Sequence, residues 1–207
     1  ALLLCSNNYL GLANDAELRE AAARALRDCG VGAGASRLVS GSMRAHRELE
    51  EALADLKRAE AALVFTSGYQ ANVGTITALV GRDDEVFSDE LNHASLIDGC
   101  RLSRARVSVY PHNDMERLGA LLAASRARRR LIVTDSVFSM DGDEAPLAVI
   151  CDLADRYGAM TLVDEAHATG AIGPHGSGVV GREGLQERVT VQMGTLEFHI
   201  EGVRPDK

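Results

Sequence analysis

Short apolar runs alternate with amphipathic stretches along most of the chain. Six runs have strand character: ALVFT (62–66), EVFSD (85–89), RVSVY (106–110), LIVTDS (131–136), MTLVD (160–164) and VTVQM (189–193). Between most of them, apolar residues at helical spacing predict helices over 70–80, 94–103, 114–126 and 147–157. Two more helices are predicted ahead of the runs. DAELREAAARALRDCG (15–30) has an aspartate near its start and Gly30 as its stop. MRAHRELEEALADLKRAE (43–60) has an apolar stripe and a charged face. Short apolar strands separated by helices predict an α/β fold, a mostly parallel sheet with helices on both faces. No internal repeat, low-complexity tract or inter-domain linker breaks the pattern.

Composition narrows the function classes. Of 207 residues, 46% are hydrophobic and 25% charged, ordinary for a globular protein. The net charge of −8 opposes a broad basic face for nucleic acid. The one basic run, Arg126 to Arg130, reads as a solvated helix terminus. Cys5, Cys29, Cys100 and Cys151 are far apart, with no CxxC pair. That spacing predicts neither a metal site nor a disulfide framework, and it suits a reducing compartment. No window has the length of a membrane span and no signal peptide is evident, so the expectation is a cytoplasmic protein without membrane contact. The chain opens abruptly, as if cut from a longer one.

In a parallel sheet, ligands bind beyond the carboxyl ends of the strands. The residues just after each apolar run are therefore the candidates. After ALVFT, Ser67 and Gly68 open a helix, whose free N–H groups suit an anion such as phosphate. After EVFSD, His93 stands just before a helix, either as a cap or as a functional imidazole. After LIVTDS, Ser139 and Asp141 precede a glycine turn and Pro146, which suits a helix start. MTLVD ends on Asp164 and is followed by His167; VTVQM is followed by Gly194 and Thr195. One sheet edge thus collects a phosphate turn, two imidazoles, a carboxylate and two hydroxyls.

Asp164-Glu165-Ala166-His167 also spells a helicase box. That box works beside a G-x-x-x-x-G-K-[ST] loop, which this chain lacks. GVGAGA (30–35) fits a loose dinucleotide fingerprint but follows a helix rather than a strand. The six histidines show no H-E-x-x-H spacing, so no metal is expected. What fits is a phosphate-bearing cofactor whose ring wants an acid partner, and pyridoxal 5′-phosphate is such a group. A carboxylate paired with its protonated ring nitrogen gains roughly 4 kcal/mol before desolvation costs.

Six collinear stretches sharpen this. GAGASRLVSGSMRAHRELE, FTSGYQANVGTITAL, DELNHASLIDGCRLSRA, TDSVFSMDGDEAPL, VDEAHATGAIGPHGSG and MGTL resemble the α-oxoamine synthase family of pyridoxal-phosphate enzymes. The likeness runs from SNNYLGL near the start to Leu196. It implies the large domain of a fold type I transferase, incomplete here. Residues 1–45 would lead into that domain, 46–196 would form its cofactor-binding part, and 197–207 would be a divergent tail. The C-terminal small domain would be absent.

The resemblance also implies roles. Gly68 and Tyr69 would bind the phosphate through backbone N–H groups, and Thr195 would reach it. His93 would stack on the ring and orient substrate. Ser139 and His167 would contact the ring hydroxyl, Asp164 the ring nitrogen, and Asn8 the substrate carboxylate. His93, Asp164 and His167 would be the catalytic set. The reaction implied is decarboxylative condensation of an amino acid with an acyl-CoA or acyl-carrier-protein thioester, by a homodimer. Alanine with a pimeloyl thioester, in biotin synthesis, is the first pairing; glycine with acetyl-CoA is the alternative.

After Leu196 the likeness stops. The family continues GTLSKA, with the lysine that forms the Schiff base; here the chain reads GTLEFHIEGVRPDK, with Phe198 at the lysine's place. Only Lys57 and Lys207 occur. A phenylalanine forms no imine and moves no proton. The expectation is an inactive piece of an enzyme or, alternatively, a lysine-free supporting subunit.

Overall fold

A computed structural model describes residues 6–195. Helices α1 (Ala16–Cys29) and α2 (Arg44–Leu56) come first, then α3 (Gly68–Leu79). From there strand and helix alternate: β1 (Glu85–Asp89), α4 (Ala94–Ser103), β2 (Arg106–Tyr110), α5 (Met115–Ala124), β3 (Arg130–Asp135), α6 (Leu147–Tyr157) and β4 (Met160–Asp164). A short α7 (Gly178–Arg182) precedes β5 (Val191–Met193). The five strands form one sheet in the order β2-β1-β3-β4-β5, every pair parallel. The α/β expectation is met.

Strand periodicity sorts the core into two layers. Val86, Leu131, Val133, Leu162 and Met193 face α3 and α4, and pack with Ile76, Leu96 and Cys100. Their neighbours Phe87, Ile132 and Val163 face the other way, onto Leu118 and Leu122 of α5 and Ile150 and Leu153 of α6. Helices therefore cover both faces, and buried strands read as nearly continuous apolar runs. Three helices, α1, α3 and α5, start on side-chain caps: Asp15 accepts from the N–H groups of Glu17 and Leu18, Ser67 from Gln70, and Asp114 from Arg117.

Two predicted strands change. The run 62–66 is not a strand. Glu50 accepts from the Val64 N–H at 2.8 Å and Arg37 donates to the Val64 carbonyl at 3.2 Å. Side chains therefore take backbone groups that a ladder would use. The run 189–193 shortens to Val191–Met193, because Thr190 and Thr161 exchange backbone-to-hydroxyl bonds of 3.0 and 3.1 Å. The basic run is structural: Arg129 donates to the Leu79 carbonyl, and Arg130 to those of Tyr157 and Ser125. GVGAGA lies in the irregular segment that follows α1.

One buried ion pair ties the end of α2 to the end of β4. Lys57, 3% exposed, donates to the Glu165 carboxylate, 0% exposed, and to Thr169 Oγ1. Glu165 also accepts from the Val180 N–H at 2.9 Å. A Cβ at Gly178 would stand 2.5 Å from that carboxylate, and its φ of +87° independently favours glycine. Lys57→Ala strands Glu165 as an unpaired buried charge. We expect it to cost about 3–5 kcal/mol in urea unfolding, and Lys57→Ala combined with Glu165→Gln to cost less.

Candidate active site at the strand ends

The carboxyl ends of β3 and β4 open on a cavity of about 170 Å³. Gly68, Tyr69, His93, Asp164, His167 and Thr195 line it, six of the eight candidate residues. Asn7, Ser67, Ser95, Asp135, Ala166 and Met193 complete the lining. A larger cavity of about 390 Å³ lies between residues 59–68 and β5, but its walls are mostly apolar and, among the described residues, Lys57 is its only charged one. The smaller one holds the chemistry.

Asp164 is 3% exposed. Its Oδ2 accepts from Asn72 Nδ2 at 2.7 Å and its Oδ1 from the Ala166 N–H at 2.9 Å. Burial pushes its carboxyl up from the usual carboxylate range, against these two bonds and the nearby imidazoles of His93 and His167. An ionised carboxylate in this place is therefore stabilised by a cation at the cavity. The same Asn72 amide donates to Ser95 Oγ at 2.9 Å, and Ser95 Oγ meets His93 Nδ1 at 2.7 Å. Asp164, Asn72, Ser95 and His93 thus form one connected chain. His93 Nδ1 also accepts from the Ser95 N–H, so we assign the neutral ring's proton to Nε2.

The N-terminus of α3 borders the same cavity. Ser67 caps the Gln70 N–H, while those of Gly68 and Tyr69 find no acceptor among the described residues. They are the orphan donors of a helix start, an anion site in waiting. A Cβ at Gly68 would meet Thr195 Cγ2 at 2.0 Å, so any side chain there would displace Thr195. The Tyr69 hydroxyl donates to Asp98 at 3.0 Å, which holds its proton on more tightly. His167 Nδ1 meets the Tyr9 hydroxyl at 2.8 Å, so the SNNYLGL segment lies against the site.

Two candidates lie elsewhere. Ser139 is exposed on the loop after β3, and that loop is pinned by His112 Nε2 and Asp143 at 2.7 Å. Asn8 serves a local turn, accepting from the Ala13 N–H at 3.1 Å; its neighbour Asn7 lines the cavity instead. Phe198 and Lys207 lie outside the described residues. The sequence reading passed over Asn72, Ser95 and Asp135. Asp135 had a legible signal, since it stands at the end of an apolar run as Asp164 does. Asn72 had none, because only the packing of α3 against α4 turns it to Asp164.

The donor set suits pyridoxal phosphate on the structure's own terms. It combines unpartnered helix-start N–H groups, a buried carboxylate that a cation would keep ionised, and the Asn72 Oδ1, buried without a partner. The fold and this set suit a pyridoxal-phosphate-dependent protein, and residues 1–196 match the aminotransferase class I and II family. The chain belongs to that family. It is 59% identical over 193 residues to an 8-amino-7-oxononanoate synthase of Anaeromyxobacter sp. (strain K), covering 93% of this chain and 48% of that one. The Geobacter sulfurreducens 8-amino-7-oxononanoate synthase is also 59% identical, covering 94% of this chain and 50% of that one. Among solved structures, a Sphingomonas wittichii serine palmitoyltransferase superposes with a TM-score of 0.90 at 39% identity, covering 93% and 49%. The Francisella tularensis 8-amino-7-oxononanoate synthase gives 0.71 at 25% identity, covering 90% and 50%. The chain spans about half the length of the curated relatives it matches.

Gly68→Ala is expected to displace Thr195 and weaken pyridoxal phosphate binding at least about tenfold, read by fluorescence titration, since a Cβ blocks the close approach. Asn72→Leu removes a bond that holds Asp164 ionised. Its binding should fail at a higher pH on the acid side than in the native chain.

Proposed function

We propose that this chain is the cofactor-binding part of a pyridoxal-phosphate-dependent C-acyltransferase. The whole protein condenses L-alanine with a pimeloyl thioester, on CoA or acyl-carrier protein, with decarboxylation, as an 8-amino-7-oxononanoate synthase of biotin synthesis. The observation that carries it is the buried Asp164 facing the same small cavity as the free N–H groups of α3. The names of the relatives support alanine and pimeloyl over glycine and acetyl.

Pyridoxal phosphate, when bound, supplies a protonated ring that accepts the electrons released by decarboxylation. The chain's residues do the rest. Asp164 holds a proton at the ring nitrogen. Gly68 and Tyr69 offer N–H donors to the phosphate, and Thr195 stands beside them. His93 borders the cavity with its Nε2 proton, and His167 is steadied by Tyr9. Ser139 and Asn8 would have to be brought in by the rest of the protein.

The reading extends to assembly and place. We infer a homodimer, supported by the apolar side of α1, where Leu18 and Leu26 stand exposed. We infer a cytoplasmic location, supported by the unpaired Cys29, Cys100 and Cys151. No described helix is long and apolar enough to cross a membrane. Residues 46–196 are the partial large domain in this reading, with 1–45 leading into it.

This polypeptide alone is inactive in the same reading. Lys57 is committed to Glu165 and borders the other cavity, and Phe198 stands where the family has its lysine. Borohydride treatment with pyridoxal phosphate should leave no covalent adduct on residues 6–195, checked by peptide mass spectrometry. Joining residues 1–196 to the C-terminal half of the Geobacter sulfurreducens relative should give turnover of alanine with a pimeloyl thioester. Turnover of glycine with acetyl-CoA instead would replace this reading with the alternative.

A further inference from the structure

Asp135 ends β3 as Asp164 ends β4, and the two are register partners across the parallel pair. Strand periodicity puts both on the face of Leu131, Val133 and Leu162, toward α3 and α4. Asp135 is 4% exposed and borders the same cavity as Asp164. Their supports differ. Asp164 accepts from Asn72 and Ala166, whereas Asp135 accepts from the His93 N–H at 2.8 Å. Among the described residues, no lysine or arginine lines the cavity.

The surrounding titratable groups leave the pair short of positive charge. Asp89, at the end of β1, adds another carboxylate, itself held by His112 and by the N–H groups of Leu91 and Asn113. His93 is the N-cap of α4, and its Nδ1 is an acceptor. His167 meets Tyr9, and the Tyr69 hydroxyl donates to Asp98. Glu165 points away, to Lys57. Two ionised carboxylates side by side in such a place repel strongly, and one proton shared between them relieves the repulsion.

We propose that Asp135 and Asp164 form a proton-sharing carboxylate pair in which Asp135 holds the proton, so that Asp164 stays ionised for a cationic ring. Asp135 is then a positioning residue: it acts through Asp164 and through the His93 backbone. The pair is placed by the strand register and the shared cavity, while its use toward pyridoxal phosphate rests on the function proposed above.

The direction of each titration agrees. Burial first, then the Asp164 charge, pushes Asp135 up to about 8, against the His93 N–H bond. Its folded value lies above the unfolded one, near 3.9. The stability linked to that proton is therefore full at low pH and lost as pH rises through about 8. A cation beside Asp164 cancels the repulsion and lowers the pH at which Asp135 ionises.

The test uses the full 207-residue chain with aspartate ¹³Cγ labels, followed by NMR across pH. One buried aspartyl carbon should titrate near pH 8 in the native chain, and it should vanish in Asp135→Asn. In Asp164→Asn the same carbon should titrate at lower pH, because its charged neighbour is gone. Pyridoxal phosphate should also move the step to lower pH. An Asp135 carbon, assigned as the resonance lost in Asp135→Asn, that titrates below about pH 6 would overturn the pair. If Asp135→Asn fails to fold, an unmoved step in Asp164→Asn overturns it instead. A step that ignores pyridoxal phosphate would overturn the role toward the ring. None of these readings needs acyl transfer, so failure of the proposed reaction is separately visible.

Discussion

A carboxylate buried at the end of a parallel strand is costly unless something repays its lost water. Asp164 is in that position. Two hydrogen bonds offset part of the cost, and two imidazoles help, yet burial still favours the protonated form. The deficit is what makes the site useful. A cationic ring nitrogen arriving at the cavity meets an acid that gains by ionising. Much of the surrounding structure can be read as support for that one group: Asn72 on α3, the turn through Ala166, and the Asp135 neighbour on β3.

The second carboxylate of the DEAH stretch has the opposite task. The Glu165 carboxylate is paired with Lys57 and the Val180 N–H, and faces away from the cavity. Its ion pair crosses 108 residues of sequence and joins α2 to the start of the loop after β4. Adjacent residues on one strand end thus divide the work. One is locked and structural, the other is left short of positive charge. Pairs of carboxylates whose surroundings differ in this way are how one fold separates structural from chemical acids.

Much of the fold was legible residue by residue. Val86, Phe87, Leu131, Ile132, Leu162 and Val163 read as apolar runs because both sheet faces are covered. Asp15, Ser67 and Asp114 marked helix starts through their side-chain caps. The failure at 62–66 has a definite cause. Val64 is apolar and flanked like a strand residue, but Glu50 and Arg37 take its backbone groups. No local pattern announces a side chain arriving from another helix. In the site, the rule that ligands lie beyond strand ends found His93, Asp164, His167 and Thr195. It weighed Asp164 at the end of its run but not Asp135, the matching residue at the end of β3.

The sequence by itself determined the periodicities, and with them the parallel sheet, its two covered faces and the edge where chemistry collects. These are local or nearly local properties, set by which side a residue must turn. It also determined, through six ordered motifs, the family to which that edge belongs. Only the tertiary structure decided which polar groups share a cavity and which are consumed as struts. Asn72 reaches Asp164 across 92 residues, and Ser139 stands apart from the cavity although its motif matched. Such pairings depend on how helices pack over the sheet, a sum of many distant contacts that no short stretch encodes.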